Sequence, residues 1–261
     1  MLGSEFASCW LKIARAEVHA KTVCDEIASW EQQCPYVLTK IDDPQGYFYS
    51  INVELNPVPD WDRWSLIFGD FIHNLRSALD HFVYAAAICQ TKINPPVDRR
   101  RLQFPISMDS KTFSNGKNGI QSLSEAVQAS IEGVQPYNRR HRLLPPLLGL
   151  LRDFDNSDKH RLLKLASALQ HDGHARIECP DGHSLKSITY FDGEIQTRAD
   201  ILAFTIEPPT LEVKYPYEST FKVGVSHEPG PTGIKATSVK TLVELLSGEV
   251  RTIIETIGMK V

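Results

Sequence analysis

The sequence predicts an α+β protein: a predominantly helical bundle, a small antiparallel β-sheet, and a C-terminal helix that packs back on the bundle. Three observations predict it. Apolar residues recur at helical spacing in several long segments, short alternating runs fill the stretch after about residue 171, and Gly, Pro and Asp separate those runs. The chain of 261 residues, 42% hydrophobic and 23% charged, has an ordinary globular composition with room for two parts. Residues 1–170 read as the helical bundle domain and 171–261 as the β subdomain followed by the C-terminal helix.

The first helix runs from residue 5 to about 33, on Ile13, Ala16, Ala20, Val23, Ile27 and Trp30. Residues 3 to 6, "GSEF", match what two adjacent cloning sites leave behind and carry no functional weight. A turn at Pro44 to Gly46 between β-branched and aromatic residues predicts a hairpin over 37–55. Asp60, after two prolines, is placed to start a helix whose stripe is Phe68, Ile72, Leu75, Leu79, Phe82 and Ala86. Residues 93–119 read as a loop broken by an extended "LQFPI". A short helix over 120–132 and a Pro-initiated helix from about 145 follow, the latter continuing through Leu162, Leu163, Leu165 and Leu169. Beyond 171, "ARIEC", "SLKSITYF", "ILAFTIE", "LEVKYPY" and "FKVGV" alternate as strands do. Val239, Leu242, Leu246, Val250, Ile253 and Ile257 form the terminal stripe, with Thr237 or Ser238 as its cap.

A net charge of −4 and a pI near 6.1 exclude a surface that attracts nucleic acid or anionic lipid all over, although local basic patches such as Arg99–Arg101 and Arg139–Arg142 remain. Those patches read as a guide for an acidic polymer or as solvated loop charge. Five scattered cysteines with no C-x-x-C pair indicate neither a disulfide framework nor a zinc finger. With no leader pattern and no apolar run of spanning length, the expected location is the cytoplasm.

One stretch departs from this ordinary texture. "GDFIHNLRSALDHFVYAA", residues 69–86, carries Asp70, His73, Asn74, Arg76, Ser77, Asp80 and His81 on its outer face. Solvated faces are normally built from Lys and Glu, which are better helix formers than Asp, Asn, Ser and His. Arg76 and His81 make R-x-x-x-x-H, two residues about 140° apart around a helix. His81 suits proton transfer to or from a ribose hydroxyl, and Arg76 suits binding the phosphate and steadying its transition-state charge. A second cluster, "DNSDKHR", holds Asp155, Asn156, Asp158, Lys159, His160 and Arg161.

The first motif resembles that of the HEPN superfamily, helical modules whose ribonuclease members carry R-x(4–6)-H on a helix, usually with a polar residue after the arginine; here the residues are Arg76, Ser77 and His81. The resemblance covers about residues 5–170. It implies a metal-independent endoribonuclease without a cofactor, of a bacterial toxin or defence type. RNA would be the substrate, and two motifs would face each other across a homodimer cleft, with Arg76 and His81 catalytic and His73, Asn74, Asp80, Asp158, Lys159, His160 and Arg161 supporting or binding substrate. The chain is also similar to a group of uncharacterised bacterial proteins in which "NLRSALDH", "FPI", "QPY" and "DKHR" recur in that order, here at 74–81, 104–106, 135–137 and 158–161. That likeness implies that the two polar clusters meet in one site.

Other readings use the same residues. The polar face can be a hydrogen-bond network that fixes helix packing, or the surface of a non-catalytic ligand-binding or assembly module. Asp70-x-x-His73 has the spacing of a metal-binding helical bundle, with Asp155, Asp158 or His160 to complete the ligands. "DNSDKHR" can also be a helix-start turn, with Asp155 or Ser157 as N-cap.

Overall fold

The computed structural model describes residues 3–139, 144–191, 194–228 and 236–261, with the backbone alone at 166–173. In chain order the elements are helix α1 (Ala7–Glu31), strands β1 (Tyr36–Asp42) and β2 (Phe48–Leu55), and helices α2 (Trp61–Thr91), α3 (Ser110–Gly116), α4 (Glu125–Gly133) and α5 (Leu147–Asp158). Strands β3 (Leu165–Ala175), β4 (Ser184–Tyr190), β5 (Arg198–Glu207), β6 (Tyr217–Ser226) and the short β7 (Ala236–Ser238) follow, and helix α6 (Val239–Gly258) closes the chain. The protein is a mixed α and β structure in which the strand pairs β1–β2, β2–β5, β4–β5 and β3–β6 are all antiparallel. Two compact units compose it: a helical unit of Met1–Cys24, Asp62–Lys164 and His227–Val261, and a sheet unit of Asp25–Trp61 and Leu165–Ser226.

In the helical unit, all six residues of the α2 stripe are fully buried. Trp64, Phe71, Ala78, Val83, Ala85 and Ala87 are buried too, so α2 is covered on more sides than one stripe describes. Phe71 and Phe154 of α5 both lie against Phe68, with ring centroids 5.6 and 6.1 Å away. Phe6, from the segment with no expected role, is buried with its ring 5.6 Å from that of Phe82. Ser238 caps α6 by accepting from the Thr241 N–H, and all six α6 stripe residues are buried. The helix packs on α4 and α5, as an amphipathic helix of this length must pack on something. Each such side chain contributes roughly 1.5–3 kcal/mol of burial.

Three expectations need correction. The leucine run does not continue α5, which ends at Asp158; Leu163 and Leu165 are buried while Leu162 and Lys164 are exposed, a period of two that leads into β3. Residues 93–119 are not all loop: Asp109 caps α3 by accepting from both the N–H and the hydroxyl of Thr112, at 2.8 Å each, and a 3-10 turn follows at Lys117–Gly119. Of "ARIEC" and "LEVKYPY" only the ends, Ala175 of β3 and Tyr217 of β6, lie in strands, and Glu178 and Lys214 form an isolated bridge where full strands were expected.

In the sheet unit the order is β1-β2-β5-β4. The hairpin, grouped with the helical half on sequence grounds, is thus part of one sheet with strands some 150 residues later, in a register that sets Tyr49 against Phe204 and Ile51 against Leu202. Gly46 closes its turn at φ +73°, in the left-handed region where a side chain is strained. The rings of Tyr49, Phe204 and Tyr215, 5.1 to 5.6 Å apart, form the core on one face of this sheet. Among the described residues no helix is long and apolar enough to cross a membrane.

Candidate anion-binding site

The polar face of α2 divides between two sets of partners. Arg76 is 8% exposed; its Nη1 donates to Asp80 Oδ1 at 2.9 Å and its Nη2 to the Phe104 carbonyl at 2.8 Å. Asp80 Oδ1 also accepts from the Phe104 N–H at 2.8 Å. Burial raises the Asp80 pKa, and the Arg76 charge is the largest influence opposing it. The i, i+4 pair therefore ties residue 104 to α2, satisfying both backbone groups of a fully buried Phe. Gln135, which has no exposed surface, extends the tie: it accepts from the Ser107 N–H at 2.8 Å and donates to the Pro105 carbonyl at 2.9 Å and the Ile131 carbonyl at 3.0 Å.

His81 belongs to the other set. It is half-buried; burial first, then the Lys12 charge, lowers its pKa, against the pull of Asp80. Lys12 of α1 donates to Asn74 Oδ1 at 3.5 Å, Asn74 donates to the Asp70 carbonyl at 2.8 Å, and Asp70 lies 3.9 Å from His19 Nδ1. Arg76 and His81 thus differ in their other neighbours, although Asp80 acts on both, and Arg76 lines the pocket described below while His81 does not. The angular separation of residues five apart is the reason.

His73 turns toward α5, with Nδ1 3.4 Å from Asp155 Oδ1, while Lys159 donates to Asp155 Oδ2 at 2.6 Å. Asp155 is only 3% exposed. Asp158 sits against Gly69 of α2, where a β-carbon would overlap its carboxylate; burial, then Asp70 and Asp155, raise its pKa. The helix-start reading of this cluster is inverted, because Asp155, Ser157 and Asp158 form the last turn of α5. The backbone N–H groups of His160 and Arg161 donate to the Ser157 carbonyl there. Carboxylates at a helix C-terminus oppose its dipole, so Asp155 depends on Lys159 and His73. The side chains of His160 and Arg161 are exposed. The metal spacing does not assemble a site: Asp70 and His73 take different partners, and among the described residues no group of three or more His, Cys, Asp and Glu is arranged to hold an ion.

Beside Arg76 and Asp155 lies a pocket of about 280 Å³. Four cationic side chains line it, Arg76, Arg101, Arg152 and Lys159, with Asp155 as its one acidic lining residue and Gln103, Ser107, Thr112 and Asn156 as polar ones. Its wall holds Phe104, Pro105 and Ile106, and its floor is tight because Gly119 lets residues 101 and 103 approach: a β-carbon there would stand 3.0 Å from both carbonyl oxygens. Arg101 is the end of the basic triplet. In the second basic stretch Arg139 pairs with Glu249 at 2.8 Å, and residues 140–142 lie outside the described residues.

Segments 74–81, 104–106, 135–137 and 158–161 of this chain are thus linked around the pocket. Arg76 and Asp80 hold Phe104, Gln135 holds Pro105 and Ser107, and Lys159 reaches the same pocket. Arg152 carried no sequence signal, Arg101 was legible only as the end of the basic triplet, Gln103 only as part of the extended "LQFPI", and Gln135 only as a member of "QPY". Comparison with family models, with curated proteins and with solved structures finds no match.

Proposed function

We propose that the helical unit is a binding module for a small anionic ligand, held in the pocket between α2, α5 and residues 101–107. The observation that carries this reading is the lining itself: four cationic residues, of which Arg76, Arg152 and Lys159 are ion-paired with Asp80, Asp153 and Asp155, surround a concave site only slightly smaller than typical ligand pockets of about 300–1,000 Å³. Arg76 contributes from a fixed position, since Asp80 and Phe104 hold its guanidinium before any ligand arrives. Thermal unfolding in chloride buffer, repeated with added phosphate, sulfate or citrate, tests it. A saturable rise in Tm with at least one anion, diminished in Lys159→Gln and Arg152→Gln, is expected, because a ligand at a hundred times its Kd adds about 2.7 kcal/mol to stability. No rise with any of them would overturn the reading.

The HEPN-type endoribonuclease is the second reading, favoured by His81: its half-buried imidazole, with its pKa lowered, is neutral and fit to act as a base near pH 7. In this reading Arg76 and His81 act together on one RNA strand, in a homodimer whose two motifs face each other. Cleavage of a mixed RNA pool in excess EDTA, lost in His81→Ala and Arg76→Ala proteins confirmed to be folded, is its expected result. Retained cleavage in those variants removes it.

A further inference from the structure

Resting on the anion-site reading, we infer that Asp155 selects the ligand, and that the ligand is a phosphate group still carrying a P–OH proton. A pocket meant for any anion would gain nothing from a carboxylate in its lining. Yet Asp155 is 3% exposed and lines the pocket at the end of a helix whose dipole disfavours it. The contacts of this carboxylate fix it in place: Lys159 on Oδ2 at 2.6 Å and His73 3.4 Å from Oδ1. Two oxygens have about four acceptor positions, so this carboxylate has capacity for one more donor.

Only some anions can supply that donor. Hydrogen phosphate keeps a P–OH at neutral pH, and a phosphomonoester keeps one until its second ionisation near pH 6. Sulfate and a phosphodiester have none, and bring only negative charge against the Asp155 oxygens, which is repulsive and leaves their side of the contact unpaired. The cations Arg76, Arg101, Arg152 and Lys159 attract all of these anions alike, so they set affinity and Asp155 sets choice. The same logic turns the pocket away from an RNA backbone, whose internal phosphates are diesters. The size of the pocket, about 280 Å³, leaves room for a small organic substituent beside a phosphoryl group.

Isothermal titration at pH 7 with inorganic phosphate, methyl phosphate, dimethyl phosphate and sulfate tests the inference on the unmodified protein. Inorganic phosphate is expected to bind roughly tenfold or more tightly than sulfate and dimethyl phosphate, the discrimination expected when a buried acceptor loses its donor. Methyl phosphate, which has largely lost its P–OH at pH 7, is expected to bind more weakly than inorganic phosphate, and binding as tight as phosphate would overturn the inference. In Asp155→Asn, whose amide can donate to sulfate, the preference is expected to collapse to within about twofold or threefold. Sulfate binding as tightly as phosphate to the unmodified protein would overturn the inference while leaving the anion site intact; no binding by any anion would overturn the site itself. If Asp155→Asn does not fold, the phosphate-to-sulfate ratio of the unmodified protein decides alone.

Discussion

The two sides of α2 use the same kinds of residue to different ends. On the Arg76 side, every contact is short and ends on a backbone group or a half-buried carboxylate: 2.9 Å to Asp80, 2.8 Å to Phe104, and Gln135 holding Pro105 and Ser107. On the His81 side the contacts with α1 are long, 3.5 Å between Lys12 and Asn74 and 3.9 Å between His19 and Asp70. One side builds a wall and the other rests against a neighbour. Residue type alone does not make a site; the side that fixes residue 104 also contributes Arg76 to a pocket.

The largest expected effect separates the two sides by stability. Arg76→Ala leaves Asp80 and the Phe104 carbonyl without their partner, and is expected to lower the unfolding free energy by about 3–5 kcal/mol. Lys12→Ala, on the other side, is expected to change it by less than about 1 kcal/mol. Urea denaturation of both measures the contrast, and equal losses would erase it. Next comes Gln135→Ala, which strands the buried Ser107 N–H and the half-buried Pro105 carbonyl: a loss of about 1–3 kcal/mol is expected by the same method, along with weaker anion binding as the pocket wall loosens.

The smallest effect sharpens the electrostatics between the two sides. Burial, Asp70 and Asp155 raise the Asp158 pKa in the folded protein, so its ionised form is penalised by folding. That penalty is fully present above the folded pKa and is relieved as pH falls through it toward the ordinary Asp value. Asp158→Asn is therefore expected to raise Tm at pH 7 by roughly 1–2 °C, with the gain shrinking toward pH 4. Thermal scans across that range measure it; a gain that grows on acidification would contradict the assignment.

Much of the helical unit was legible in the sequence because its signal is periodic. The stripes at 13–30, 68–86 and 239–257 and the cap at Ser238 need only local spacing, and each is where the sequence placed it. Signals that depend on distant chain were not legible. Leu162 to Leu169 satisfied a helical count, yet burial at 163 and 165 follows β3. The pairing of β2 with β5 joins segments that share no pattern. Arg152 is a lone cation of the α5 sequence and Arg101 the end of a loop triplet, brought to one pocket only by where α5 and the 101–107 segment come to lie. The order of "NLRSALDH", "FPI", "QPY" and "DKHR" did point to convergence, but not to which side of α2 would face it. Arg76 was singled out for catalysis; what its surroundings show is a guanidinium that holds residue 104 and lines a pocket.

The most direct test of the account places the two sides in one experiment: calorimetric titration of inorganic phosphate into Lys159→Gln and Lys12→Gln proteins. The account predicts that Lys159→Gln loses most of the binding, because its ammonium lines the pocket, and that Lys12→Gln binds like the parent. Equal binding by both variants, or loss in Lys12→Gln alone, would contradict it.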